Sequence, residues 1–110
     1  MPILESVDAQ EIAHPLWEVG SARGVLRTDL RAELGDPKFI ETDGLRTFGG
    51  EEDWWFYRER FGASIVICLR VPYQDAVIYV SDLSDAVIAL ARSVLHSWTV
   101  DLHDVPVMHK

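Results

Sequence analysis

Side chains that could act as a nucleophile or a base are few and scattered in this sequence. The only cysteine, Cys68, lies inside the apolar run 65–69, with His96 or His103 as the available base. Reactive thiols occupy accessible, electropositive positions, whereas thiols among apolar residues are inert. We therefore expect Cys68 to be structurally passive.

The sequence also contains no familiar motif for binding a metal ion or a phosphate group. His103 and His109 fit no familiar ligand spacing, and no calcium-loop spacing follows the acids at 51–53. The pair Gly49-Gly50 lacks the lysine and the serine or threonine of a phosphate-binding loop, and the acids that follow would repel phosphate. We expect no cofactor, no metal site and no enzymatic activity.

The remaining chemistry is that of recognition, and it is concentrated in one acidic and aromatic run. Its members are Glu51, Glu52, Asp53, Trp54, Trp55, Phe56 and Tyr57. This density of strand formers predicts a β-strand, in which side chains alternate between two faces. Trp54 and Phe56 then point one way, whereas Trp55 and Tyr57 point the other. One pair can fill a core, and the other must be covered or must present an aromatic surface beside the acids.

Alternation in the following strands indicates a second apolar face of the sheet. Ile65, Ile67 and Leu69 share the core face. The opposite faces suggest one connected patch, formed by Trp55, Tyr57, Val66, Cys68, Val77 and Tyr79. Its cover could be the N-terminal segment with Trp17, a second copy of the protein or a different partner.

Part of that patch, together with the acids, is our predicted partner-binding site. Its residues are Glu51, Glu52, Asp53, Trp55, Tyr57 and Tyr79.

Hydrophobic periodicity supplies the elements that must position these residues. It predicts helices over 21–34 and 81–97. Four strands lie between them, with short connections that favour antiparallel neighbours: 38–42, 53–59, 63–71 and 76–81. Residues 99–110 alternate and could add an edge strand. The order α-β-β-β-β-α predicts an α+β fold in two layers, an antiparallel sheet of four to five strands packed by two helices.

The length and the net charge of the chain limit the classes of protein to which it can belong. The 110 residues predict a single domain, 1–110, in which residues 1–20 form an acidic N-terminal arm without lysine or arginine. A net charge of −8 disfavours nucleic acid and anionic membranes. It would attract a basic protein partner, and it is equally typical of an acidic protein whose charge serves solubility alone. A single cysteine, no signal-peptide pattern and no membrane-spanning run predict a cytoplasmic protein.

A family resemblance extends over residues 21–98. The helix ending in Leu34-Gly35-Asp36-Pro37, the glycine turn before the aromatic run and the strands at 65–71 and 76–80 resemble small immunity proteins of bacterial polymorphic toxin systems. Those proteins are short, acidic, cytosolic and often built as helix, antiparallel sheet and helix. The resemblance implies tight binding to a cognate toxin, blocking its active site or an exosite, and it identifies no particular site residue.

Three function hypotheses follow. The first is a non-enzymatic immunity or inhibitor protein that binds a basic toxin domain through the acidic and aromatic surface. The second is a small enzyme or enzyme subunit with a pocket between sheet and helix. The third is a homodimeric structural domain whose aromatic face is the dimer interface.

Overall fold

The computed structural model describes residues 4–45 and 50–109. Within them the elements, in chain order, are β1 (Leu4–Ser6), β2 (Leu16–Arg23), α1 (Arg27–Leu34), β3 (Phe39–Leu45), β4 (Gly50–Glu59), β5 (Ser64–Arg70), β6 (Asp75–Val80), α2 (Asp85–Val94) and β7 (Val100–His109). The predicted α+β class is confirmed. The described sheet has seven strands rather than four to five, because strands precede α1 and follow α2.

The seven strands form one antiparallel sheet, in which six follow the order β1-β4-β5-β6-β2-β7. Strand β3 also pairs with β4, so β3 and β1 occupy successive segments of the same edge of β4. At the opposite edge lies β7, the strand that the alternation over 99–110 suggested. None of the helices in the described part of the chain is long and apolar enough to span a bilayer.

The first three residues of the predicted first helix, 21–23, belong to a strand instead. The helix begins at Arg27 instead of residue 21, and residues 16–23 form β2, which lies between β6 and β7. A register shift between Glu18 and Gly20 hides the alternation of this strand. A Cβ atom at Gly20 would come within 3.0 Å of the Asp101 carbonyl oxygen, so glycine permits the close approach of β7.

Both helices pack on one face of the sheet. Leu30 of α1 and Val87 and Ala91 of α2 belong to the same buried cluster as the apolar face of β5. The predicted core residues of that face are fully buried: Ile65, Ile67 and Leu69. This face of the sheet and the inner sides of the two helices form the main core.

The N-terminal segment covers much of the other face. Val7, Ile12 and Leu16 form a second cluster on β4, β5 and β6. The segment is also tied by its backbone, since the Ala13 N–H donates to Ser64 Oγ at 2.8 Å. Of the three covers considered for this face, the described structure places the chain's own N-terminal segment there. Trp17, in contrast, packs against the cluster beneath the helices.

Candidate binding surface

The register between β4 and β5 decides which aromatic residues share a face. Trp55 lies opposite Ile67, and Phe56 lies opposite Val66. Because directly opposite residues share a face, Trp55 lies beneath the helices and Phe56 beneath the N-terminal segment. Tyr79 belongs to the N-terminal side. The prediction of one patch that contains both Trp55 and Tyr79 is therefore wrong, because the sheet separates them.

Two of the predicted site acids are engaged by helix α1. Asp53 is fully buried and accepts hydrogen bonds from Arg27 at 2.7 and 2.8 Å and from Arg31 at 3.3 Å. Arg27 also forms an ion pair with Glu51 at 2.8 Å. The hydrogen bond with Asp53 raises the pKa of the Arg27 guanidinium. These acids hold α1 against the sheet, so Asp53 presents no surface to a partner.

The predicted tryptophan also serves the end of α1. Trp55 is 2% exposed, and its indole Nε1–H donates to the Gly35 carbonyl oxygen at 3.1 Å. Gly35 closes the helix with φ 83°, a conformation that favours glycine, and its N–H donates to the Arg31 carbonyl oxygen. Trp55 thus fixes the point at which the chain leaves α1.

The other predicted site residues differ in exposure. Glu52 is half-buried opposite Arg70. Tyr79 is 8% exposed, its ring is stacked with that of Trp54, and burial raises its pKa. Tyr57 is half-buried on the helix side, where burial raises its pKa to about 12. Of the six predicted residues, Tyr57 combines an aromatic ring with access from the helix side.

The predicted passivity of Cys68 agrees with its surroundings. The side chain is 2% exposed within the cluster beneath the N-terminal segment. Burial raises the pKa of its thiol, which keeps it protonated and weakly nucleophilic. Among the described residues, no group of three or more histidine, cysteine, aspartate or glutamate side chains is placed to hold a metal ion.

Three depressions meet on the helical layer near the end of α2. The first, the α2–β7 groove, has a volume of about 730 Å³ and lies between α2 and the start of β7. The second, about 600 Å³, lies between α1 and the segment after α2. The third, about 380 Å³, lies between α1, α2 and Tyr57. Trp98 lines the first two, Glu33 the last two, and His96 the first and third, so the depressions are adjacent.

We call this concave area the Trp98 surface. It is formed by Asp29, Glu33, Tyr57, Asp85, Ile88, Arg92, His96, Trp98 and Leu102, with their immediate neighbours. Trp98 is half-buried and packs its inner part on the main core. The segment after α2 is held to α1, because Ser97 Oγ donates to Glu33 Oε1 at 2.7 Å. The aromatic ring thus lies on a fixed backbone between two helices.

Acidic groups dominate the charge of this surface. Asp29 and Asp85 are exposed and form no ion pair with any described side chain. Glu33 Oε2 lies 3.8 Å from His96 Nε2, and Arg92 is the guanidinium on this surface. Most of the other described cations are neutralised by acids: Arg27, Arg31, Lys38, Arg58 and Arg70. Part of the negative net charge of the protein therefore comes from the carboxylates of Asp29 and Asp85 near Trp98.

Sequence reasoning missed this surface because Trp98 follows the predicted second helix, 81–97, where no pattern indicated a site. The helix ends at Val94, and Trp98 follows it in a turn that closes with a hydrogen bond from the Trp98 N–H to the Leu95 carbonyl oxygen. A signal was nevertheless present in the sequence. Asp29 and Glu33 are four residues apart, which places two acids on one side of a helix.

Comparison with known proteins finds no matching family model, no matching curated protein and no matching solved structure. The similarity to immunity proteins therefore stays a prediction, and function has to be inferred from the shape and charge of the Trp98 surface.

Proposed function

We propose that this chain is a non-enzymatic protein-binding domain that uses the Trp98 surface to bind a basic protein partner. In the role that the resemblance implies, it is an immunity or inhibitor protein and the partner is a toxin domain in the bacterial cytoplasm. The observation that carries the proposal is a half-buried tryptophan at the centre of a concave surface whose rim includes Asp29 and Asp85, two carboxylates that form no ion pair with a described side chain.

The aromatic component supplies affinity. A tryptophan already held against a core loses little conformational freedom when a partner covers it, and it exchanges a large apolar area. Tyr57 extends the aromatic character along the depression between the helices. Truncation of an anchor of this kind costs about 2 kcal/mol or more of binding free energy when the partner desolvates it fully.

The acidic component selects the partner by charge. Asp29 and Asp85 lie on different helices, on either side of the concave area. Their charges attract a basic surface before contact and raise the association rate, an effect that falls as salt is added. An acidic partner would be repelled both by these groups and by the net charge of −8.

The test is capture of partners from lysates of the source cells with three immobilised forms of the protein. Asp29→Lys reverses a charge on the Trp98 surface. Asp101→Lys is the matched control, because Asp101 is an exposed acid in β7 that neighbours buried Val100, and alternation places it on the opposite face of the sheet. We expect a basic protein to be retained by wild type and by Asp101→Lys and to be depleted at least tenfold with Asp29→Lys.

Two results would contradict the proposal. One is that no protein is retained specifically by the wild type. The other is that the retained protein binds all three forms equally at low salt, which would mean that it contacts another surface.

A second candidate is self-association through the edge strand β3. Phe39 and Ile40 are 48% and 42% exposed at this edge, and exposed apolar edge strands pair readily with another chain. The originally considered dimer interface, the aromatic face, is largely covered by the N-terminal segment. Light scattering of wild type and Ile40→Lys tests this candidate: a dimer that becomes a monomer on substitution supports it.

The enzyme hypothesis has the weakest support. The pKa values of Tyr57, Cys68 and Tyr79 are raised chiefly by burial, and the last two side chains lie in a packed cluster rather than in a cleft. Burial of this kind makes these groups poorer bases and nucleophiles at neutral pH.

A further inference from the structure

The two described helices leave one end of the sheet without a helix over it. Helix α1 is bound to β4 through Asp53, and α2 packs on β6, two strands further along the sheet. Strands lie about 4.8 Å apart, so the two helices are separated by about 10 Å, the usual distance between packed helices. Two strands beyond β6 lies β7. The next position for a helix in this layer is therefore over β7, and it corresponds to the α2–β7 groove.

The lining of the groove suits a helix. Its apolar part comes from Ile88, Ala89 and Trp98 on one side and Leu102 on the other. Leu102 is 45% exposed, although it shares the helix side of β7 with buried Val100. Ala89 is exposed, and its small side chain lets another helix approach α2 closely. Its volume of about 730 Å³ lies within the range of about 300–1,000 Å³ that is usual for binding pockets.

The charges of the groove have a direction. Asp85 lies in the first turn of α2, whereas Arg92 lies in its last turn and His96 follows. Asp85 and Arg92 are seven residues apart, which corresponds to about 10 Å along the helix axis. A helix that complements them carries lysine or arginine beside Asp85 and aspartate or glutamate beside Arg92.

Helix electrostatics then fixes the orientation of the occupant. Acidic residues stabilise the first turn of a helix, and basic residues stabilise the last turn. The end of the occupant that meets Arg92 is therefore its N-terminus, and the end that meets Asp85 is its C-terminus. Such a helix runs antiparallel to α2.

We propose that the α2–β7 groove receives an amphipathic α-helix of the protein partner, antiparallel to α2, with an apolar stripe on Ile88, Trp98 and Leu102 and with basic residues at its C-terminal end. This helix becomes the third member of the helical layer. The inference rests on the proposed protein-binding function and names the segment that the Trp98 surface recognises. It belongs to the helix-in-groove mode of recognition, with anchors spaced i, i+3, i+4 and i+7.

The experiment uses a displayed library of helical peptides of about 14 residues, or ~21 Å of helix. A leucine stripe is fixed, and the positions that flank this stripe in the first and last turns are randomised among lysine, arginine, glutamate, aspartate and serine. Selection is performed against the immobilised full-length protein. Enriched peptides are synthesised, and their affinities for three forms of the protein are measured by fluorescence anisotropy.

The three forms are wild type, Ala89→Arg and Ala86→Arg. Both alanines are exposed on α2, but Ala86 lines a different depression, so it is the matched control. We expect enriched peptides to carry acids in the first turn and bases in the last turn. Ala89→Arg should weaken their binding at least tenfold, whereas Ala86→Arg should change it by less than about twofold, since it leaves the groove open.

The inference is overturned if no helix is enriched, if the enriched helices carry the reverse charge order, or if they bind Ala89→Arg as well as wild type. Failure of this inference is distinguishable from failure of the proposed function. A cellular partner that is released by Asp29→Lys but binds Ala89→Arg normally would leave protein binding in place and would exclude a helix in this groove.

Discussion

Helices α1 and α2 cover the same face of the same sheet, yet different interactions hold them there. In α1 the buried residue is Leu30, and the two arginines Arg27 and Arg31 reach the buried carboxylate of Asp53. In α2 Val87 and Ala91 are buried. The first helix is attached mainly by ionic hydrogen bonds, and the second mainly by apolar contact.

The two kinds of attachment contribute differently: apolar contact contributes mainly to the stability of the helical layer, and the ion pairs mainly to the orientation of α1. Burial of apolar surface contributes about 25 cal/mol per Å² and does not depend on direction. A buried ion pair gains little net free energy once desolvation is included, but it fixes the angle of its partners. We infer that α2 dominates the stability of the helical layer, and that the cluster around Asp53 determines where α1 and its acids Asp29 and Glu33 lie.

The largest expected effect tests the apolar attachment of α2. Leu95 is fully buried immediately after the helix. Leu95→Ala removes part of the packing and leaves a cavity, so the free energy of unfolding should fall by about 2–5 kcal/mol in urea titration. Leu26→Ala, at a position that is 43% exposed, is the control and should change it by less than about 0.5 kcal/mol. Equal losses in the two variants would refute the comparison.

The next effect tests the ionic attachment of α1. Asp53→Asn removes the charge and keeps the shape of the side chain. The side chains of Arg27 and Arg31 are 28% and 32% exposed and can regain water, so we expect a loss of about 1–3 kcal/mol, below the cost for fully buried pairs.

Hydrogen exchange can locate the part of the structure that Asp53→Asn destabilises. Amides of α1 should exchange faster, whereas those of α2 should keep their rates, because the described ion pairs of Asp53 are with arginines of α1. Asp29→Asn, an exposed change on α1, is the control. Equal acceleration in both helices would show that the helical layer behaves as one unit and would break the comparison.

A smaller effect concerns the start of α2. The Ser84 hydroxyl oxygen accepts a hydrogen bond from the Val87 N–H and caps the helix. Ser84→Ala should reduce the free energy of unfolding by about 1 kcal/mol, as loss of an N-cap does. Ser93→Ala, on the exposed side of the same helix, should have little effect. If the two alanine variants unfold at the same urea concentration, the cap contributes nothing to α2.

The smallest effect is on the pH dependence of stability, and it is confined to alkaline solution. Tyr57 lies between the two helices, and burial raises its pKa from 10.0 to about 12. Between these values the unfolded chain releases the phenol proton and the folded chain keeps it, so stability falls as the pH rises. In Tyr57→Phe this contribution is absent, and the decline in unfolding midpoint between about pH 10 and 12 should be shallower. Identical slopes would contradict the burial of this phenol.

The middle of the fold was predictable from local pattern. The predicted strands over 63–71 and 76–81 correspond to β5 (Ser64–Arg70) and β6 (Asp75–Val80), because alternation and short turns mark both strands clearly. Alternation within a strand does not give the register between strands. Both sides of β4 are aromatic, so only pairing with β5 determines that Trp55 rather than Trp54 lies beneath the helices.

The site was less predictable, because its charges are neutralised across long stretches of chain. In sequence Arg27 and Arg31 resemble an ordinary solvated helix face, and Glu51 and Asp53 resemble a solvated turn. Their pairing across more than twenty residues arises only when α1 packs on β4. The carboxylates of Asp29 and Asp85, which form no ion pair with a described side chain, were not among the predicted site residues. Of the six predicted residues, Tyr57 lines the Trp98 surface.

The position of β2 in the sheet has a consequence for the timing of folding. Trp17 pairs with Val80 on one side and with Met108 on the other, so β2 acquires its last partner only after β7, far along the chain, has been synthesised. Contacts this distant in sequence raise the contact order and slow folding. We expect refolding in milliseconds to seconds, measurable by stopped-flow tryptophan fluorescence, and a nascent chain that cannot complete this sheet until β7 has left the ribosome.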